Sequence, residues 1–244
     1  MRHTIMIEIS HLKKTFGPFT AVNGLSLHIP AGELFCFLGP NGAGKTTTIK
    51  MLCGLLKPTS GTIRIGGIDL QKDLEAVRRL IGYIPDTPFL YERLTPTEFF
   101  EFIGDLYRIP TAHIRQERVS AFNLFGLNDH ADTLIKDLSH GYRQRTIYAA
   151  TFLHSPKVLF VDEPFVGLDP LSIRLIRDLL KQKARDGMTI FLTTHILALA
   201  EHIADRIGIL MGGGLVALGT LEALREQSAV QGALEDIFLS LTAE

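Results

Sequence analysis

Apolar and polar residues alternate over Ile5–Ile9 and again over Leu25–Ile29, the period of two expected of strands with one buried face. A third short strand is predicted over Thr62–Ile65, after a Pro58–Gly61 turn, and a fourth over Ile81–Pro85. Other runs are almost wholly apolar. Glu33–Leu38, Val158–Val161 and Thr189–Thr193 have the length and continuity of strands buried on both faces. The period then changes. Ile49, Leu52, Cys53 and Leu56 fall at i, i+3, i+4 and i+7, the spacing of a helix with one apolar side. From about residue 87 to 154 the pattern is helical. Thr95-Pro96-Thr97-Glu98 reads as a capping box with proline in the first turn, and Phe99, Phe102, Ile103 and Leu106 are the expected core stripe of the helix it opens. Further helices are predicted over Thr111–Phe125, Tyr142–Leu153, Pro170–Arg185 and Ile196–Ala204, a strand over Ile207–Met211, and a short closing helix over Leu234–Leu241.

Strands and helices alternating along the chain imply an α/β fold with a parallel sheet covered by helices. The helical stretch interrupts that core. The predicted division is a core of residues 1–86 and 155–226, a helical insert of 87–154 and a C-terminal helical segment of 227–244.

Composition narrows the field. The 244 residues carry a formal charge of −1 and no long basic block, which argues against a general grip on nucleic acid. Hydrophobic residues make up 46% and mean hydropathy is +0.19, so some apolar surface is expected to serve partners. The longest stretch free of Asp, Glu, Lys, Arg and His, Ile207–Leu221, is broken by glycines and shorter than the roughly 20 residues a bilayer-spanning helix needs. The N-terminal residues lack the apolar core of a secretory signal. Cys36 and Cys53 form no metal-type spacing and are expected to be reduced core thiols.

Residues 39–47, Gly-Pro-Asn-Gly-Ala-Gly-Lys-Thr-Thr, match G-x-x-x-x-G-K-[ST] and lie between a predicted strand and a predicted helix. In that context, glycine lets the backbone close on a phosphate, and free N–H groups of Asn41, Gly42, Ala43, Gly44, Lys45, Thr46 and Thr47 point at its oxygens. The helix dipole adds to the attraction. Lys45 would neutralise the terminal phosphates and the Thr46 hydroxyl would hold Mg²⁺. The strand Val158–Val161 ends in Asp162-Glu163. Ligands of open α/β sheets collect at the carboxyl ends of strands, so both acids belong at the phosphate loop. Asp162 is assigned to Mg²⁺ and Glu163 to the attacking water. A lone histidine is usually structural, but His195 ends another strand on the same edge and is assigned a γ-phosphate contact.

Taken together, these motifs make the chain resemble the ATP-binding subunit of an ABC transporter, over about Ile7–Leu241. The resemblance implies a P-loop ATPase fold: a mostly parallel core sheet, N-terminal antiparallel strands and an α-helical subdomain. Phe16 stands where the family has an aromatic that stacks on adenine. Leu138-Ser139-His140-Gly141-Tyr142 stands at the signature, and Gly167-Leu168-Asp169-Pro170 matches the D-loop. On this resemblance Ser139, Gly141, Tyr142 and Asp169 join the nucleotide contacts, and Asp86 joins the Mg²⁺ ligands. The chain departs from the family pattern in three places. Asp86 replaces the glutamine after Gly82-Tyr83-Ile84-Pro85, His140 and Tyr142 replace signature glycine and glutamine, and Phe165-Val166 replaces a small polar pair.

The resemblance also implies partners. Each ATP would lie between the phosphate loop of one chain and the Ser139 loop of a second, in a homodimer or heterodimer. A separate transmembrane permease would receive the motion, with this chain peripheral on the cytoplasmic side. Six aromatics between Phe89 and Tyr107 suggest a docking groove for that permease, or a well-filled core. Short similarities in Lys50–Leu55 and Leu234–Leu239 point to ABC-2-type exporters. A soluble ABC ATPase acting on nucleic acid or ribosomes is the alternative, and such proteins usually carry tandem cassettes, coiled coils or basic patches.

Overall fold

The structure, a computed structural model, describes residues 4–87, 89–228 and 232–242. Within the C-terminal segment of 227–244, residues 229–231 and 243–244 lie outside the described residues.

Two sheets share the strands. The first is antiparallel, in the order β2 (Phe19–Pro30), β1 (Ile5–Phe16), β4 (Ser60–Ile65), β5 (Ile68–Asp69). The second has six strands, in the order β10 (Gly214–Gly219), β9 (Arg206–Met211), β3 (Leu34–Leu38), β8 (Thr189–Thr194), β7 (Val158–Asp162), β6 (Ile81–Ile84). All its neighbours are parallel except β9 with β10. Leu38 pairs with Thr194 and Asp162 with Thr193, so β3, β7 and β8 end side by side.

The parallel sheet divides the interior. Alternate residues of a strand face opposite sides. Phe35 and Phe37 therefore meet Phe160, Phe191 and the residues of β1, β2 and helix α1 (Lys45–Leu52). Ring centroids there lie 5.3–5.9 Å apart around Phe191. Leu34, Cys36 and Leu38 face the other way, into a core shared with the helices α3 (Pro96–Leu106), α4 (Thr111–Phe125), α5 (His140–Phe152) and α6 (Pro170–Arg185). A short helix α2 (Leu74–Leu80) precedes β6, and α7 (Leu197–Ile203) precedes β9. After β10, α8 (Leu221–Ser228) and α9 (Leu234–Thr242) close the fold, with α9 against α7 and β10.

The capping box of α3 forms: Thr95 Oγ1 accepts from the Glu98 N–H, and Glu98 Oε2 accepts from the Thr95 N–H. Its expected core stripe forms only at Phe99 and Ile103. Phe99 and Phe100 are buried, whereas Leu106 is 62% exposed and Phe102 lies edge-on to Tyr91 at the surface side. The reason is that α3 touches both α4 and α5. Phe100 packs against Phe122 of α4, and Gly104 lies so close to Ile114 and Leu153 that a Cβ would not fit. The buried arc is shifted toward those two neighbours. Helix α1 stops at Leu52, before Leu56, because Gly54 turns into the left-handed region at φ 65°. The pattern reading also passed over β5, α2, β10 and α8.

Candidate nucleotide site

The phosphate loop joins β3 to α1. Two glycines make its path possible. At Gly44, φ is 106° and a Cβ would lie 2.3 Å from the Ala21 carbonyl oxygen of β2; at Gly39 it would lie 2.4 Å from that of Leu210. The loop is thus wedged between β2 and β9. Gly44 is the N-cap of α1 with no side chain capping the helix start and no acid in its first turn. Those N–H groups and the helix dipole form an anion-binding end.

Lys45 is buried. Its ammonium donates to the carbonyls of Gly39 at 2.7 Å and Pro40 at 3.2 Å, and lies 3.4 Å from Glu163 Oε1. Asn41 and Gly42 are exposed at the loop crest, Ala43 is buried, and Thr46 and Thr47 are half-buried at the start of α1.

Asp162 and Glu163 emerge where β7 ends. Asp162 is fully buried; the Thr193 hydroxyl donates to its Oδ1, while Oδ2 has no hydrogen-bond partner among the described residues. Burial pushes its carboxyl above the usual range, partly opposed by the Thr193 and Thr46 hydroxyls, while the nearby Asp86 and Glu163 carboxylates push it further up. An unpartnered carboxylate oxygen beside a threonine hydroxyl is a hard-oxygen set that suits Mg²⁺. Glu163 itself sits at φ 47°, an unusual value for a non-glycine residue. Two hydrogen bonds from its N–H, to the Thr193 carbonyl and hydroxyl at 3.1 and 3.2 Å, hold it there. Its side chain is 14% exposed, and Oε2 meets His195 twice, at the backbone N–H (3.2 Å) and at Nδ1 (2.9 Å).

Lys45, Thr46, Asp86, Asp162, Glu163 and His195 therefore form one cluster. His195 touches Glu163 directly, so its first role here is to hold the carboxylate. Thr193 is the residue that sequence reasoning overlooked. The only signal was its place one strand position inside the edge that carries His195.

The remaining assigned residues lie apart. Ser139 caps α5, its hydroxyl accepting from the Tyr142 N–H at 3.4 Å. The Tyr142 ring packs on His130 and under the Arg145 guanidinium. Gly141 lies against Ser172 and Asp169, and Asp169 caps α6 through the Leu171 and Ser172 N–H groups, both at 3.0 Å. No hydrogen bond or ion pair among the described residues joins this group to the phosphate loop. Phe16, 49% exposed, pairs with Phe19 across the β1–β2 turn and carries the Lys14 ammonium 5.0 Å from its ring.

A glycine loop at a strand-to-helix turn, a buried lysine and strand-end carboxylates define a P-loop nucleotide hydrolase. The family model described as ABC transporter matches residues 22–166. The chain belongs to that family, and with the loop, the carboxylate pair and the histidine in place it is an ATPase cassette. It is 38% identical over 225 residues to the "Probable multidrug ABC transporter ATP-binding protein YbhF" of Escherichia coli, covering 92% of this chain and 39% of the relative. It is 40% identical to the "Daunorubicin/doxorubicin resistance ATP-binding protein DrrA" of Streptomyces peucetius, over 91% of this chain and 67% of that one. Against the "Linearmycin resistance ATP-binding protein LnrL" of Bacillus subtilis the figures are 37%, 88% and 69%. The chain thus spans well under half of YbhF and about two thirds of the other two. Among solved structures, an ATP-binding subunit of an ABC transporter superposes with a TM-score of 0.91 at 33% identity, over 97% of this chain and 99% of that one. The dimeric cassette MJ0796 bound to ADP and Pi gives 0.81 at 27%, over 88% and 99%.

Proposed function

We propose that the chain is the motor of a membrane exporter, in which two cassettes close on ATP and reopen after hydrolysis. The carrying observation is the separation, within one chain, of the phosphate-loop cluster from the Ser139–Asp169 group. The start of α1 is uncapped by any side chain, the Ser139 turn opens a second helix, and a triphosphate can use both only if a second chain supplies one. The dimeric relative supports this arrangement.

In this reading the loop N–H groups and Lys45 hold the phosphates, and Phe16 stacks on the base. Thr46, Asp162 and Asp86 would hold Mg²⁺, which would neutralise charge on the β- and γ-phosphates. Glu163 takes a proton from the attacking water as the bond from oxygen to the γ-phosphorus forms and the bond to ADP breaks. His195 keeps Glu163 aimed. Loss of the terminal phosphate removes the charge both chains grip.

The partner reading rests on an apolar groove of about 380 Å³ between α3, α5 and β6, lined by Tyr83, Phe89, Ile103, Tyr107, Ala150 and His154. Phe89 is 80% exposed at its rim. An amphipathic cytoplasmic helix of a permease fits such a groove. No helix among the described residues is long and apolar enough to cross a membrane. The resistance-protein relatives support export, and the cytoplasmic side of the membrane follows from where ATP is found.

The test is gel filtration of Glu163→Gln with MgATP. Hydrolysis is expected to fall while the chain elutes as a stable dimer, and a variant that stays monomeric would overturn the motor reading. Affinity purification from detergent extracts is expected to retain a membrane protein; recovery of nucleic acid in its place would favour the soluble alternative.

A further inference from the structure

The start of α5 and the start of α6 are fastened together by a short chain of polar side chains. Arg145 lies in the second turn of α5. Its Nη2 donates to Ser172 Oγ at 2.9 Å, and the Ser172 hydroxyl donates in turn to Asp169 Oδ2 at 2.5 Å. The other Asp169 oxygen already accepts the Leu171 and Ser172 N–H groups. Ser172 is 1% exposed, so this hydroxyl has one donor and one acceptor and no competing water. The same guanidinium lies 5.1 Å from the Tyr142 ring and donates to the Phe125 carbonyl at 3.4 Å. Its Nε is buried without a partner, a cost that packing alone does not call for. The two turns also lie side by side: the His140 ring is close enough to Gly167 that an added Cβ would touch it at 3.7 Å.

We propose that Arg145 and Ser172 are positioning residues that lock the Ser139–Tyr142 turn to the Gly167–Asp169 turn, so that both meet the partner cassette's ATP as one rigid face. This rests on the dimer reading above. Neither residue touches the phosphate loop of its own chain. Their effect therefore falls on closure, which is costly when two turns must be ordered separately. Binding of ATP to a single chain, through Lys45 and the loop, is independent of the lock.

The experiment uses Ser172→Ala, Arg145→Met and the double variant. Each is made with Glu163→Gln to measure ATP-driven dimerisation, and alone to measure hydrolysis. A fluorescent ATP analogue reports binding to the single chain. Losing a hydrogen bond to a charged group is expected to weaken dimerisation and raise apparent KM roughly tenfold. The saturated kcat and the single-chain affinity stay unchanged. The double variant is expected to be no worse than either single one, because both break the same link. Wild-type dimerisation in Ser172→Ala, additive losses in the double variant, or a matching fall in single-chain nucleotide affinity would each overturn the lock. Melting curves separate a closure defect from a folding defect: a variant whose dimer weakens only in proportion to lost folded protein counts against the proposal. Should the Glu163→Gln chain itself fail to pair with ATP, the dimer reading falls and this inference falls with it.

Discussion

Glu163 occupies a left-handed backbone conformation that side chains avoid, and Thr193 and His195 are what keep it there. Strain of this kind costs about 1–3 kcal/mol and is tolerated where geometry matters to function. His195→Ala removes the ring that fixes Oε2 while leaving Lys45 opposite Oε1. It is expected to lower kcat about a hundredfold with little change in ATP affinity, as steady-state assays and nucleotide titration would show. His154 makes a separate, testable statement about pH. Its Nε2 meets the Ile81 carbonyl at 2.9 Å, and its Nδ1 is buried without a partner. Burial holds its pKa below the ordinary 6.5, against the pull of that carbonyl. The folded chain thus favours neutral imidazole. The unfolded chain takes up its proton near 6.5, so this contribution to stability is whole above that value and is lost as pH falls through the depressed folded value. Melting temperature is expected to decline on acidification more steeply in the native chain than in His154→Asn. Equal slopes would contradict it. At this scale the sequence was informative for residues that end strands, because Asp162, Glu163 and His195 follow apolar runs. Thr193 was not legible, since a threonine inside a strand reads as ordinary strand composition.

Among the elements, α3 separates what a linear pattern can say from what it cannot. Its start was readable because capping is local chemistry within four residues. Its buried face was not, because two neighbours, α4 and α5, approach from directions the α3 sequence does not encode. The consequence is measurable in urea. Phe100→Ala, emptying a site beside Phe122, is expected to cost about 3–5 kcal/mol. Phe102→Ala, half-buried beside Tyr91, is expected to cost well under half as much, about 1 kcal/mol. The reverse order would restore the stripe read from spacing. α6 was readable over its whole length, with Asp169 and Pro170 at its start and Gly187 just beyond its end. The β9–β10 hairpin was missed although Gly212 and Gly213, at φ 53° and 81°, carry the signature of a tight primed turn. Their neighbours made the segment look like one uncharged run.

For the molecule as a whole, the family was legible because each of its motifs is contiguous, and the groove proposed for docking was only half legible. Of the six aromatics that suggested it, Phe100 fills the core, Phe99 is buried at the groove's floor, and Phe89 and Tyr107 line it from the exposed side. Composition counts rings without saying which way they face. A cysteine placed at position 89 is expected to cross-link to a co-expressed permease, and one at position 100 is not. Absence of any product from the groove rim would direct the search for the partner elsewhere.

That design is helped by where the native sulfurs are. Cys36 lies in the middle strand of the parallel sheet with no exposure, and Cys53 caps the end of α1 almost as deeply. Burial raises both thiols well above their ordinary acidity range, so neither offers thiolate at neutral pH. Both native thiols are thus expected to react slowly with maleimide beside a cysteine introduced at position 89, and Cys53, which reaches the wall of the same groove, is the one whose labelling to measure first.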